Sequence, residues 1–322
     1  MTRLIALLLL LLLPLHAHPV RCAFDEQVVR WNAYCLLNNA TPTQPSALNS
    51  TQSMLASSIW MGAVRAAGLF PGNIFRANLF CGGSYGGTNG CGDSITLTNI
   101  GSPQVPLINQ VGFEYDKPIV SGTNENSVQS SWKYIETGSS GGLGQVSSAN
   151  FVAFDTQIVP NAVSSWQNDA HAAMYMTSGG TEAAYILGAS DAAGANLIAM
   201  TAADPTVGQI TLLWGQTGFP NSTNDASGLG LYVGTRTSSA TNGVKQYHNA
   251  TATGSSTSVS GDPASIAAPI SIFTVNQTLV GYVFRSGHLS GGYDLGRALT
   301  AAQEAQLYDA WQRFQTLLQR QK

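Results

Sequence analysis

A chain of 322 residues carries Lys+Arg 14 against Asp+Glu 17, a formal net charge of −3, and charged residues make up only 10% of it. A charge set so sparse and slightly acidic offers no footprint for phosphate backbones, which excludes a nucleic-acid binder of the basic kind. The length allows one large domain with a substantial core plus a smaller segment, and 34 glycines among many Ser, Thr and Asn residues predict a surface kept soluble by hydroxyls and amides.

Thr2 and Arg3 lead into an apolar run from Leu4 to Leu13, then Pro14 and small or polar residues, the pattern of a secretory signal peptide. The run falls short of the roughly 20 apolar residues that a spanning helix needs. No other stretch is apolar enough to cross a membrane, so no span is expected once the signal is cleaved. Cleavage after Ala17 keeps Cys22 and cleavage after Ala23 removes it; residues 1–23 are assigned to the signal. The expected location is secreted or extracellular, meaning periplasm or cell surface in a bacterium.

Residues 24–131 read as a helical, disulfide-linked segment followed by an extended connector. Phe24 to Leu37 has Asp25 near its start and Val28, Trp31 and Cys35 at helical spacing. Pro42 and Pro45 then interrupt. A second helix is predicted from Leu48 to Ala67, with Met54, Leu55, Ile59, Ala63 and Val64 turned inward and Gly68 as its C-cap. Cys22, Cys35, Cys81 and Cys91 all fall in the first third, where an oxidising compartment favours two structural bridges. Three pairings are open, and Cys22 with Cys35 and Cys81 with Cys91 close short loops. No pair has the spacing of a zinc hook. The loop CGGSYGGTNGC between the last two lacks the Gly-Lys-Ser/Thr ending of a phosphate cradle. Leu107, Val111, Phe113 and Tyr115 alternate late in the connector and predict a strand that pairs with the edge of a β domain.

That domain, residues 132–322, begins near Trp132. Short apolar runs recur between turn-forming residues, the pattern of a sandwich. The predicted strands are Phe151 to Phe154, Ala170 to Met176, Ala183 to Ala189, Asn196 to Met200, Gln209 to Trp214, Gly230 to Thr237, Val244 to Asn249, Ile270 to Val275 and Val280 to Phe284, with a hairpin turn at Thr241-Asn242-Gly243. Strand parity sets Leu231 and Val233 on one face and Tyr232 and Arg236 on the other. It likewise sets Ala172, Met174 and Met176 opposite His171 and Tyr175. Tyr175, Tyr232, Arg236 and His171 are the candidate ligand-binding residues, lining a concave outer face, with the opposite placement open for Tyr175, whose ring can pack inside with only its hydroxyl satisfied. The chain closes with a helix whose Leu307, Trp311, Phe314 and Leu318 share one side, with Thr300 as N-cap, Gln303 completing a capping box, and Glu304 suited to the positive end of the helix dipole.

The closing segment YDLGRALTAAQEAQLYDAWQRF, Tyr293 to Phe314, resembles that of concanavalin A-like jelly rolls of the laminin-G type. It is most similar to a group of phage and bacterial secreted or tail-associated proteins. Tyr134 to Gly138 and Gly228 to Asn249 match the same group. The resemblance implies a mainly β fold, a concanavalin A-like jelly-roll β-sandwich with a small helical N-terminal segment and a C-terminal helix. It implies little about activity, because this fold carries lectins, hydrolases and structural modules alike. Related glucanases use a Glu-x-Asp-x-x-Glu strand; here Glu114-Tyr115-Asp116 is followed by Ile119 where the second Glu belongs. That departure argues against catalysis, and no catalytic residue is assigned. Domains of this type can hold calcium at a loop rim, for which Asp191 and Asp225 are the candidates. Asn39, Asn49, Asn221, Asn249 and Asn276 head glycosylation sequons. The expected function is a secreted, non-enzymatic module that binds glycans or a cell-surface protein. The alternatives are a structural subunit of a phage-like fibre, virion or surface layer, and a polysaccharide-active hydrolase with an unrecognised site.

Overall fold

A computed structural model describes residues 25–29, 47–81, 107–108, 111–112, 115–121, 132–135, 142–145, 151–178, 185–191, 196–201, 212–214, 228–256, 263–277 and 289–322. Among the described residues, helix α1 (Ala47–Ala66) precedes sixteen strands, and helix α2 (Ala301–Leu317) follows them. In chain order the strands are β1 (Ile74–Asn78), β2 (Leu107–Ile108), β3 (Tyr115–Ser121), β4 (Trp132–Ile135), β5 (Gly142–Gln145), β6 (Phe151–Asp155), β7 (Ala170–Ser178) and β8 (Tyr185–Ser190). They continue as β9 (Leu197–Thr201), β10 (Leu212–Trp214), β11 (Gly230–Arg236), β12 (Val244–His248), β13 (Thr251–Ser255), β14 (Ser271–Ile272), β15 (Asn276–Gln277) and β16 (Leu289–Gly296).

Two sheets result. The first runs β13-β12-β11-β7-β16-β5-β4, with β1 also paired to β16. The second runs β10-β9-β8-β14-β6-β3-β2, with β15 alongside β8. All pairings are antiparallel except that of β15 with β8. The protein is a mainly β sandwich with a short N-terminal helix and a C-terminal helix. Of the strand expected over Leu107 to Tyr115, the described residues form only the short β2, a bridge of Val111 to Ala77 and the start of β3, which pairs with β6 in register from Lys117↔Asp155 to Ser121↔Phe151. The expected turn at Asn242 has φ 63°, and a second tight turn, at Asn249 and Ala250 (φ 49° and 64°), joins β12 to β13.

Three layers enclose two cores. Met174, Met176, Ile186, Leu187, Ile198, Tyr232, Ile272 and Tyr293 fill the space between the sheets. Trp60, Val64, Tyr175, Leu231, Val233, Leu307, Trp311 and Phe314 fill the space between the first sheet and the helices. Each large apolar side chain so buried contributes about 1.5–3 kcal/mol. The inner strands β7, β11 and β16 of the first sheet are therefore covered on both faces.

Local chemistry sets the helix ends. Thr300 accepts from Gln303 N while the Gln303 side chain accepts from Thr300 N, the predicted capping box. Gly68, at φ 70°, ends α1: its N–H donates to Arg65 O and that of Leu69 to Val64 O, which satisfies two carbonyls of the last turn. The inward face of α1 matches expectation at Val64, with Met54 and Ala63 packed against the core, and departs from it at Leu55. Ala56, Trp60, Met61 and Val64 are buried, whereas Leu55 is 40% exposed. Apolar residues occur around most of this helix, so its docking on α2, with Trp60 edge-on to Trp311 at 5.7 Å, selects the face. Of the first predicted helix, Glu26–Val29 is helical, capped by Asp25 accepting from Gln27 N at 2.8 Å. The rest lies outside the described residues, as does the strand predicted from Val280 to Phe284.

Candidate functional site

The four candidate ligand residues do not share a face. His171 and Tyr175 on β7 turn toward the helices, level with Thr235 and Leu231 of β11; Tyr232 and Arg236 turn toward the second sheet. All four are buried, so the expected open concave surface is not formed by them. The predicted alternation along each strand is correct. What differs is that the face parity assigned to solvent is covered, in β7 by α1 and α2 and in β11 by the second sheet. The runs AHAAMYM and GLYVG, nearly free of charge, carry the signal for burial on both faces.

Under the helices the buried polar groups form one cluster. Trp311 Nε1 donates to Asp294 Oδ2 at 2.7 Å, and His171 Nε2 lies 2.7 Å from Asp294 Oδ1. His171 Nδ1 lies 2.5 Å from Arg297 O. The ring is held between a backbone carbonyl and a carboxylate, both of them acceptors. The histidine that stands alone in the sequence is thus a hydrogen-bonded element of the interior.

Glu304 of α2 enters the same layer. It is 1% exposed, and neither carboxyl oxygen has a hydrogen-bond partner. Burial pushes its pKa well above the carboxylate range, and the negative charge of Asp294 adds to the effect. The dipole at a helix N-terminus favours a negative charge by about 0.3–1 kcal/mol. Removing a carboxylate from water costs several times more. Burial wins, and Glu304 is a neutral acid in the core rather than a charged partner of the dipole.

A second cluster spans the sheets. Tyr293 Oη donates to Asp116 Oδ2 at 2.5 Å, and Arg76 Nη1 lies 3.5 Å from Asp116 Oδ1, all three side chains being buried. Burial, then the charge of Asp116, raises the Tyr293 pKa well above its ordinary value. Asp116, the second acid of the imperfect glucanase-like pattern, therefore holds an arginine and a tyrosine together in the core. Glu114 lies outside the described residues.

A third group stands where β11 meets β12 on the inter-sheet face. Tyr232 and His248, directly paired across the strands, stack with ring centroids 4.5 Å apart and planes 13° apart. His248, half-buried, sets its Nε2 2.6 Å from Leu229 O. Arg236 donates to Gln167 O and, at 3.4 Å, to Asn168 Oδ1. On the same face Gln246 is 2% exposed, and neither its Oε1 nor its Nε2 has a hydrogen-bond partner. A buried amide in that state is costly, about 1–3 kcal/mol for each unsatisfied group. Sequence reasoning missed Gln246, although its alternation with Val244 and His248 sets it on the face of Tyr232.

The remaining candidates are placed as follows. Asp191 Oδ2 accepts from Asn196 N at 3.0 Å and Nδ2 at 2.8 Å, closing the turn between β8 and β9. Asp225 lies outside the described residues. Among the described residues no three His, Cys, Asp or Glu side chains gather as a metal set. Cys81 is buried with its Sγ 3.1 Å from Ser57 Oγ, and Cys22, Cys35 and Cys91 are outside the described residues. No described helix is long and apolar enough to cross a membrane. A shallow groove between α1 and α2, of about 220 and 440 Å³ in its two parts, is lined by Ala63, Ala66, Asp309, Arg313 and Leu317.

No family model matches the chain, and no curated protein matches it. Among solved structures it is similar to domain 4 of AbnA, a GH43 extracellular arabinanase from Geobacillus stearothermophilus, in complex with arabinotriose. Identity there is 17% over 60% of this chain and 88% of that one, with a TM-score of 0.37. It is also similar to Trypanosoma rangeli sialidase in complex with 2,3-difluorosialic acid, at 10% identity over 79% of this chain and 38% of that one, TM-score 0.44. The chain thus matches well under half the length of the sialidase.

Proposed function

We propose that this protein is a secreted recognition module of the concanavalin A-like, laminin-G type that binds glycans, or a glycan-bearing cell-surface partner, without catalysing a reaction. The observation that carries the reading is the unsatisfied amide of Gln246 beside the Tyr232–His248 stack. Adjacent hydroxyls of a sugar complement such an amide, one donating to Oε1 and the other accepting from Nε2. The half-buried His248 ring, backed by buried Tyr232, is the part of that stack a sugar ring reaches. The signal-like N-terminus and the departure at Ile119 from the glucanase pattern support the same reading.

The test is a broad glycan array probed with the intact secreted chain, in calcium and in chelator, alongside Gln246→Leu and His248→Ala. The expected result is binding by the native chain and its loss in both variants, whose unfolding midpoints stay within a few degrees of the parent. Silence across the array, accompanied by self-association in sedimentation, would overturn the reading in favour of a structural subunit. Release of reducing sugar from a polysaccharide panel would overturn it in favour of a hydrolase.

A further inference from the structure

We propose that α2 is a proton-dependent latch, docked on the first sheet while Glu304 is neutral and loosened as that carboxyl ionises. This inference does not rest on the recognition reading. Glu304 sits on the same side of α2 as Leu307, Trp311 and Phe314, the residues that bury the helix. Its two oxygens lack any donor, so the ionised form has nothing in the folded state to replace the water it gives up.

The groups around it offer no compensating charge. From β16 comes Asp294, a like charge whose oxygens are taken by Trp311 and His171. From β7 comes His171, committed to Asp294 and to Arg297 O. From β12 come Tyr247, whose own pKa is raised by burial and then by Glu304, and the exposed Lys245. On α1 the described cation near α2 is Arg65, exposed and paired with Asp25. On α2 itself, Asp309 and Arg313 pair on the exposed side. Ionisation is relieved only by carrying the carboxylate to solvent, which means lifting the first turns of α2 and with them its apolar side.

The sign follows from linkage. An unfolded glutamate has a pKa of about 4.3. The buried carboxyl of Glu304 titrates well above that value. The stability that neutral Glu304 allows is fully present below the unfolded pKa and is lost as pH rises toward the folded one. Between the two values the open helix has released a proton that the docked helix retains, so the opening constant grows about tenfold per pH unit.

Amide exchange of α2 in the intact chain, corrected for intrinsic rates and followed from about pH 5 to pH 9, reads this constant. In the native chain opening should climb with pH, at a limiting slope of about tenfold per unit below the folded pKa, relative to Glu304→Gln, whose profile stays flat across the same range. Glu304→Leu gives an independent comparison, because an apolar side chain forfeits no hydrogen bond at this position, and it should match the Gln variant. Parallel profiles for the native chain and either variant would overturn the latch. So would failure of both variants to fold, since that would assign the carboxyl an indispensable contact that neither an amide nor an apolar group replaces.

Discussion

Replacing Trp311 by Phe tests the cluster beneath the helices with little change in shape. The substitution deletes one N–H donor and trims an indole to a phenyl ring. Asp294 Oδ2, which accepts that N–H at 2.7 Å, is left in the core without it. A hydrogen bond to a charged group contributes about 1.5–3 kcal/mol. The smaller ring leaves a void against Trp60, Tyr175 and Phe314, whose ring centroids lie 5.7, 6.0 and 5.9 Å from that of Trp311, adding roughly 1 kcal/mol. The expected destabilisation is about 2.5–4 kcal/mol, read from urea unfolding as a lower midpoint at an unchanged slope. Asp294→Asn strikes the same bond, so a double-mutant cycle should return a coupling of about 1.5 kcal/mol or more. A loss below about 1 kcal/mol, or additive effects in the cycle, would refute the assignment of Asp294 as an acceptor held by Trp311.

Two further expectations concern stability. Tyr293→Phe removes the donor to Asp116 while keeping the ring against Phe80, and should cost about 1.5–3 kcal/mol in urea unfolding; a neutral result would mean that Asp116 is satisfied without this hydrogen bond. Thr300→Ala should lower stability by about 1 kcal/mol and raise exchange in the first turn of α2 before that in its last. Equal exchange along the helix would argue against a local cap.

The closing helix was legible because its determinants are local. A cap at Thr300, a glutamine three residues on, and apolar residues at Leu307, Trp311, Phe314 and Leu318 depend on nothing distant. The alternation in β7 and β11 was legible for the same reason. What covers each face was not, because α1 comes from more than a hundred residues before β7 and α2 from the far end of the chain. Polar residues that parity alone sends to solvent, His171 and Arg236 among them, are therefore interior. The strand β16 escaped notice because Leu289–Gly296 is rich in glycine. Its glycines answer to close neighbours: a side chain at Gly292, φ 139°, would run into Asn78 O and the Trp311 ring, and one at Gly296 into Asn73 O. Glu304 was misjudged as a dipole partner because desolvation is set by packing that sequence spacing does not report.

The position of β16 also bears on when this protein can fold. It hydrogen-bonds to β7 along one edge and to β5 and β1 along the other. It is the last strand in the chain, and it sits in the middle of the first sheet. While the ribosome is still translating, the two halves of that sheet have nothing to join them, and the apolar faces awaiting α2 stay uncovered. Contacts so distant in sequence close slowly. The first sheet therefore closes only once β16 has been made and has joined β7 to β5 and β1.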